Sequence, residues 1–388
     1  MKENTELVRG GLTRSGFDET AEALFLTSGY VYESAEQAEA TFAGDVDHYI
    51  YSRYGNPTVS MFEERLRLLE GSEDAWSTAS GMAAVFWSLA ALLEQGDRVV
   101  ASRDLFGSCF VILDELLPRW GIRTEFVNGA SLDEWEQALA TPAAAVFFES
   151  PSNPMQGLVD VAAVSELAHA AGAMVVVDNV FATPILQKPL TLGADIVVYS
   201  TTKHIDGQGR TMGGAILGSS EYIQEQLKPF MRHTGPTLSP FNAWVLVKSL
   251  ETLTLRVAHQ TGSALRLAEV LETTARVNRV WYPGLASHPQ AALAERQMSG
   301  GGTVVTFEVE GGKEGAFQVL NGTSIIDISN NLGDSKSLLT HPATTTHRRI
   351  GPEARAAVGI TDGVIRLSVG LEDVDDLLED LTGSLEQR

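Results

Sequence analysis

The tetrapeptide Ser200-Thr201-Thr202-Lys203 follows the apolar run Ile196-Val197-Val198-Tyr199 and precedes Gly207-Gln208-Gly209-Arg210. A lysine at the mouth of a buried strand loses solvation, gives up its proton more easily and can attack a carbonyl. Ser200 and Thr202 can donate to a phosphate at the same spot. A second apolar run, Ala173-Met174-Val175-Val176-Val177, ends at Asp178-Asn179. Aspartate alone often ends a strand as a turn residue, and a lone lysine is ordinarily solvated. An acid and a lysine at neighbouring strand ends are, together, the two protein groups that pyridoxal 5′-phosphate requires. The lysine carries the imine, and the acid keeps the pyridine nitrogen protonated so that the ring can act as an electron sink.

Three further groups fit that chemistry. Ser77-Thr78-Ala79-Ser80-Gly81-Met82 leads into an apolar helical segment, so its amides can cradle an anion at the helix start, although Ser80 would equally serve as an ordinary cap. Glu149-Ser150-Pro151-Ser152-Asn153-Pro154 follows the strand end Phe147-Phe148, where two prolines fix a loop at the ligand-binding edge of an α/β sheet. Arg366 sits between apolar neighbours in Val364-Ile365-Arg366-Leu367-Ser368-Val369. A buried guanidinium needs either an internal acid or a substrate carboxylate.

These groups need a scaffold, and the apolar pattern supplies one. Short runs at 98–101, 123–127, 143–148, 173–177, 196–199 and 213–217 are mostly separated by helix-length segments such as 132–140 and 161–171. Continuous apolar strands alternating with helices predict a largely parallel sheet covered on both faces. Pro57 opens a helix with Met61, Phe62, Leu66 and Leu69 on one side, and a second helix spans 82–93. One long helical tract is expected over 241–274, then a smaller α+β part with strands near 302–309, 324–330 and 364–369. The fold class is therefore α/β, with an expected division into an arm (1–55), a cofactor-binding domain (56–240) and a C-terminal α+β domain (241–388). Residues 1–55 are interrupted by glycines yet carry Tyr30, Tyr32, Tyr49 and Tyr51, which suits an arm lying on another surface.

Composition narrows the class of protein. A formal net charge of −22 over 388 residues argues against a nucleic-acid binder. The single cysteine, Cys109, permits no internal disulfide and is read as packing, and eight histidines without ligand spacing predict no metal site. The opening residues lack a signal peptide's apolar core and no run is long enough to span a bilayer, so a cytoplasmic protein without a membrane partner is expected.

Taken in order, Tyr51-Ser52-Arg53-Tyr54-Gly55-Asn56-Pro57-Thr58, Ser80-Gly81-Met82, Glu149–Pro154, Val177-Asp178-Asn179, Ser200–Lys203 and Arg366–Gly370 resemble the cystathionine γ-synthase/γ-lyase family, the Cys/Met-metabolism group of fold-type I, aspartate aminotransferase-like PLP enzymes. The resemblance covers nearly the whole chain. It implies that Lys203 is joined to the cofactor and moves protons, and that Asp178 pairs with the pyridine nitrogen. It also implies that Gly81 and Met82 amides, Ser200 and Thr202 hold the phosphate. Tyr51 and Arg53 would reach the phosphate of a neighbouring subunit's cofactor, making the protein at least a homodimer; the family usually forms tetramers. Phe106 stands where most relatives carry a ring-stacking tyrosine, so proton transfer assigned to that phenol would pass to Lys203 or Tyr51. Asn153 and Arg366 would bind the substrate carboxylate, and Asn331 stands where many relatives have serine.

The resemblance further implies γ-replacement on an O-acylhomoserine, with O-succinyl-L-homoserine and sulfide giving L-homocysteine and succinate. Cysteine as the nucleophile, γ-elimination, and a cofactor-binding protein without activity are the alternatives. Arg348, Arg349 and Arg355 are candidates for the distal carboxylate of the ester.

Overall fold

The computed structural model describes residues 1–386; Gln387 and Arg388, the end of the expected C-terminal domain, lie outside the described residues. The larger sheet contains β1 (Asp74–Thr78), β2 (Arg98–Ser102), β3 (Arg123–Val127), β4 (Ala145–Glu149), β5 (Met174–Asp178), β6 (Ile196–Tyr199) and β7 (Gly214–Gly218). Their spatial order is β1-β7-β6-β5-β4-β2-β3. Every neighbouring pair is parallel except those of β7, which runs antiparallel to both β1 and β6. Residues of β4, β6 and β7 are buried throughout, as expected of strands covered on both faces.

The register brings the chemistry together. Glu149 at the end of β4 pairs with Asp178 at the end of β5, and Asp178 pairs with Val198 of β6. Three residues beyond the Tyr199 end of β6, the chain reaches Thr202 and then Lys203 in a turn. Crossover helices return every parallel strand to the same edge, so side chains from distant parts of the sequence share the carboxyl ends.

The smaller sheet contains β8 (Val277–Trp281), β9 (Val304–Val309), β10 (Asp327–Ile328), β11 (Leu338–Thr340) and β12 (Val364–Ser368), in the order β10-β11-β12-β9-β8. Its core joins Phe307, Leu339, Leu367, Leu271 and Leu381. Strand β12 is central and fully buried, which fixes Arg366 opposite Thr306 and Thr340.

Several elements differ from expectation. The tract 241–274 is two helices, Pro240–Leu250 and Leu253–Thr273, and the guanidinium of Arg256 donates to the Ser249 carbonyl (2.9 Å) at the break and to the His204 carbonyl (2.7 Å). A buried cation thus binds a carbonyl at the break that, in an unbroken helix, would accept from the helix itself. Leu246, Leu250, Leu253 and Val257 pack with Val59, Phe62 and Leu66, below the larger sheet. Strand β1 lies where the sequence suggests only a run of small residues, because its pairing with β7 is non-local. The expected strand at 324–330 shrinks to two residues, while β8 and β11 were not expected. The arm, irregular as expected over most of its length, carries short helices at Glu3–Arg9 and Ala35–Ala43. Among the described residues no helix is long and apolar enough to cross a membrane.

Candidate active site

A cavity of about 330 Å³ opens where the carboxyl edge of the larger sheet meets β12. Lys203, Asp178, Phe106, Ser200, Thr202, Gly81, Met82, Asn153 and Arg366 all line it. Nine of the sequence-predicted residues, drawn from the parts of the chain that build both sheets, therefore converge; Tyr51, Arg53 and Asn331 are not among the lining residues.

Lys203 is half-buried, and its Nζ donates to Asn331 Oδ1 at 2.6 Å. Burial, followed by the positive charge of Arg366, pushes its ammonium down to about 8. Arg366 is 1% exposed and makes no ion pair with a carboxylate among the described residues. Its Nη1 donates to Asn153 Oδ1 (3.0 Å), and its Nη2 to the carbonyls of Asn330 (2.9 Å) and Asn331 (3.1 Å). Its Nε is buried without a partner. A guanidinium held only by neutral acceptors, with burial pushing it down to about 10, is a site for an external anion. Of the two sequence-based readings of Arg366, internal acid or substrate carboxylate, the geometry favours the second.

At one end the helix Gly81–Ala90 points its start into the cavity. Ser80 Oγ accepts from the Ala83 amide (3.2 Å), leaving the amides of Gly81 and Met82 facing the space beside Ser200. A Cβ at position 81 would come within 2.5 Å of Ser200 Cβ, so only glycine allows this close approach. Thr202 Oγ1 accepts from the Gly213 amide (3.1 Å) and donates to the Gly213 carbonyl (3.3 Å), a long bond that an anion beside the hydroxyl would replace. Amides, hydroxyls and a helix start form an anion cradle.

At the other end Asp178 Oδ1 accepts from the Val180 amide (3.0 Å), and burial pushes its carboxyl above the usual carboxylate range. Phe106 closes one wall, with its amide donating to Glu149 Oε1 at 2.7 Å. A phosphate cradle, an amine, an aromatic wall and a buried acid suit the phosphate, the aldehyde, the ring face and the ring nitrogen of pyridoxal phosphate in turn. The residues fit that cofactor.

Two expected residues lie elsewhere in their own chain. Tyr51 is 42% exposed, and the Arg53 guanidinium lies over the Tyr51 and Tyr54 rings at 5.5 and 4.7 Å while also donating to the Arg232 carbonyl. Neither lines the Lys203 cavity. Arg348, Arg349 and Arg355 do not line it either, and Arg349 pairs with Glu115 at 2.9 Å. Asn331 does not line the cavity either, but it touches residues that do: its side chain accepts from Lys203 and its carbonyl from Arg366. Sequence reasoning gave no role to Glu149 or to Cys109, both of which line the cavity. The signal for Glu149 was Phe148-Glu149 beside Val177-Asp178, two acids at apolar strand ends, legible only once β4 and β5 are known to be neighbours; Cys109, read as packing, carried none.

Comparison with known proteins identifies the family. Residues 4–386 match the family described as Cys/Met metabolism PLP-dependent enzyme. An O-succinylhomoserine sulfhydrylase of Mycobacterium tuberculosis is 66% identical over 382 residues, covering 97% of this chain and 94% of that protein. One from Pseudomonas aeruginosa is 50% identical over 382 residues, covering 98% and 94%. A Campylobacter jejuni structure described as an O-acetylhomoserine (thiol)-lyase superposes with a TM-score of 0.96 at 30% identity over 100% of both chains, and carries N'-pyridoxyl-lysine-5'-monophosphate. The chain belongs to the Cys/Met metabolism family of PLP-dependent enzymes, and its fold is that of fold-type I.

Proposed function

We propose that this PLP-dependent enzyme replaces the succinyl group of O-succinyl-L-homoserine with sulfide, giving L-homocysteine and succinate for methionine biosynthesis. The observation that carries this reading is a buried Arg366 without an acid partner, facing the same cavity as a Lys203 amine pushed down to about 8. The names of the relatives supply the ester and the nucleophile.

Bound in this cavity, the cofactor supplies an electron sink that stabilises carbanions on the substrate chain. Arg366 takes the substrate α-carboxylate through paired N–H donors, and Asn153 holds the guanidinium in place. Lys203 Nζ accepts the α-proton; passing that proton on to the bound cofactor would restore the free amine, which then accepts a β-proton, and Asn331 Oδ1 keeps the amine on that face. Loss of succinate from Cγ makes that carbon receptive to sulfide, and Lys203 returns the protons. Proton transfers by a positioned base are each worth roughly 10²–10⁴-fold. Asp178 holds the proton of the ring nitrogen, Phe106 supports the ring face, and Gly81, Met82, Ser200 and Thr202 hold the phosphate.

The arm completes this reading. Phe17, Leu26, Val31 and Phe42 are exposed by 93, 70, 89 and 68%, a cost in a free chain that a second copy would remove. Tyr51 and Arg53 then serve the phosphate in the partner's cavity, with Tyr51 available for proton transfer in place of the phenol missing at Phe106. The oligomer is at least a dimer, with two dimers forming a tetramer, and it works in the cytoplasm.

The test is a competition. Holoenzyme is given O-succinylhomoserine with sulfide and cysteine at equal concentration, and the products are separated. Mostly homocysteine is expected. Mostly cystathionine would replace sulfide by cysteine as the nucleophile, and a dominant 2-oxo acid would make the reaction an elimination.

A further inference from the structure

Glu149 and Asp178 are register partners at the ends of adjacent parallel strands, and their carboxylate oxygens and the Cys109 sulfur lie within 4.8 Å of one another. Neither acid pairs with a cation within ion-pair distance among the described residues. The two cations that share the cavity are committed elsewhere, Lys203 to Asn331 and Arg366 to Asn153 and two carbonyls. Two buried carboxylates this close do not both ionise; they share a proton.

We propose that Glu149 is a positioning residue that holds a proton beside Asp178, so that the pair carries one negative charge and Asp178 is the member left ionised toward the ring nitrogen. The assignment rests on reading Asp178 as the ring-nitrogen partner. Asp178 is intrinsically the stronger acid, with the lower reference pKa, and it has an amide donor of its own from Val180. Glu149 is pushed well above the carboxylate range, first by burial and then by the charge of Asp178; amides of Phe106 and Asn153 and the Cys109 thiol oppose that rise without cancelling it. Burial likewise keeps Cys109 a thiol. The same carboxyl accepts from the Phe106 amide, so one side chain links the wall against the ring face to the acid at the ring edge. An ionised Glu149 would place two negative charges beside one pyridinium; a neutral one leaves the charges matched.

The test is infrared spectroscopy of holoenzyme and apoenzyme labelled with carboxyl-carbon-13 glutamate. Glu63 and Glu70 are also held high by burial, so the informative signal is the difference between wild type and Glu149→Gln. A protonated-carboxyl band should be present at neutral pH in wild type and missing in Glu149→Gln. In Asp178→Asn the same band should titrate at a pH at least one unit lower, a tenfold loss of proton affinity, because the neighbouring charge is gone. No difference band at neutral pH, or an unmoved midpoint in Asp178→Asn, would overturn the proposal. Should Glu149→Gln fail to fold, the midpoint shift in Asp178→Asn decides alone. A chain that binds no pyridoxal phosphate would sink the functional reading while leaving the apoenzyme band in place.

Discussion

In the cavity, Arg366 is held by an asparagine side chain and two carbonyls on a fully buried strand. On the arm, Arg53 lies over two tyrosine rings, one of them 42% exposed, and reaches a backbone carbonyl. Both arginines are anion binders by type, yet only the first is fixed by elements that cannot move without breaking a sheet. Burial makes the cavity costly and specific: it lowers Lys203 toward the neutral amine, raises Asp178, and leaves Arg366 short of a negative partner. The arm has the residue types of a binding site, but the cavities that Tyr51 and Arg53 line in their own chain do not include Lys203; a second copy of the chain would supply that group. Preorganised chemistry thus belongs to the two sheets, and completion belongs to assembly.

The strongest way to break this contrast is Lys203→Ala. Two proton transfers would lose their base, so turnover should fall by at least about 10⁴-fold, and covalent attachment of the cofactor should be lost. Activity and absorbance spectra check both, and a near-normal rate would remove Lys203 from the centre. Arg366→Ala comes next. Truncating a buried partner of a carboxylate typically costs about 2–5 kcal/mol, or roughly 30-fold to several thousandfold in kcat/KM, with a raised KM as its signature.

The arm is tested by mixing two inactive variants. If each cavity takes Lys203 from one chain and Arg53 from its partner, Lys203→Ala and Arg53→Ala dissociated and reassembled together should regain about a quarter of the wild-type sites. No recovery would return Arg53 to a structural role in its own chain. The smallest effect concerns Asn331. Imine formation needs the neutral amine, so reconstitution of apoenzyme should quicken as pH rises through about 8. Asn331→Ala removes an acceptor that favours the ammonium, so the midpoint should fall below the wild-type value, readable by stopped-flow absorbance.

The cavity was more legible in the sequence than the contacts within it. Lys203, Asp178 and Ser200 announce themselves because each follows a continuous apolar strand, and local pattern locates strand ends well. Asn331 holding Lys203, and Glu149 beside Asp178, depend on strand order and on the approach of the smaller domain, neither of which local pattern contains. Strand β1 escaped for the same reason, since Asp74–Thr78 is a strand by virtue of β7, a partner far along the chain. The break between the helices at 240–250 and 253–273 is stabilised by Arg256, a tertiary contact that periodicity cannot register. The arm is the opposite case: its tyrosines and Arg53 are conspicuous in sequence, and one folded chain gives them no cavity of their own with Lys203.

The most direct measurement is reduction of the holoenzyme with borohydride, followed by proteolysis and mass spectrometry of the peptides. A pyridoxyl group on Lys203, and on no other lysine, is the predicted result. A pyridoxyl group on a different lysine, or none on a chain that still turns over O-succinylhomoserine, would contradict the placement of the chemistry at this cavity.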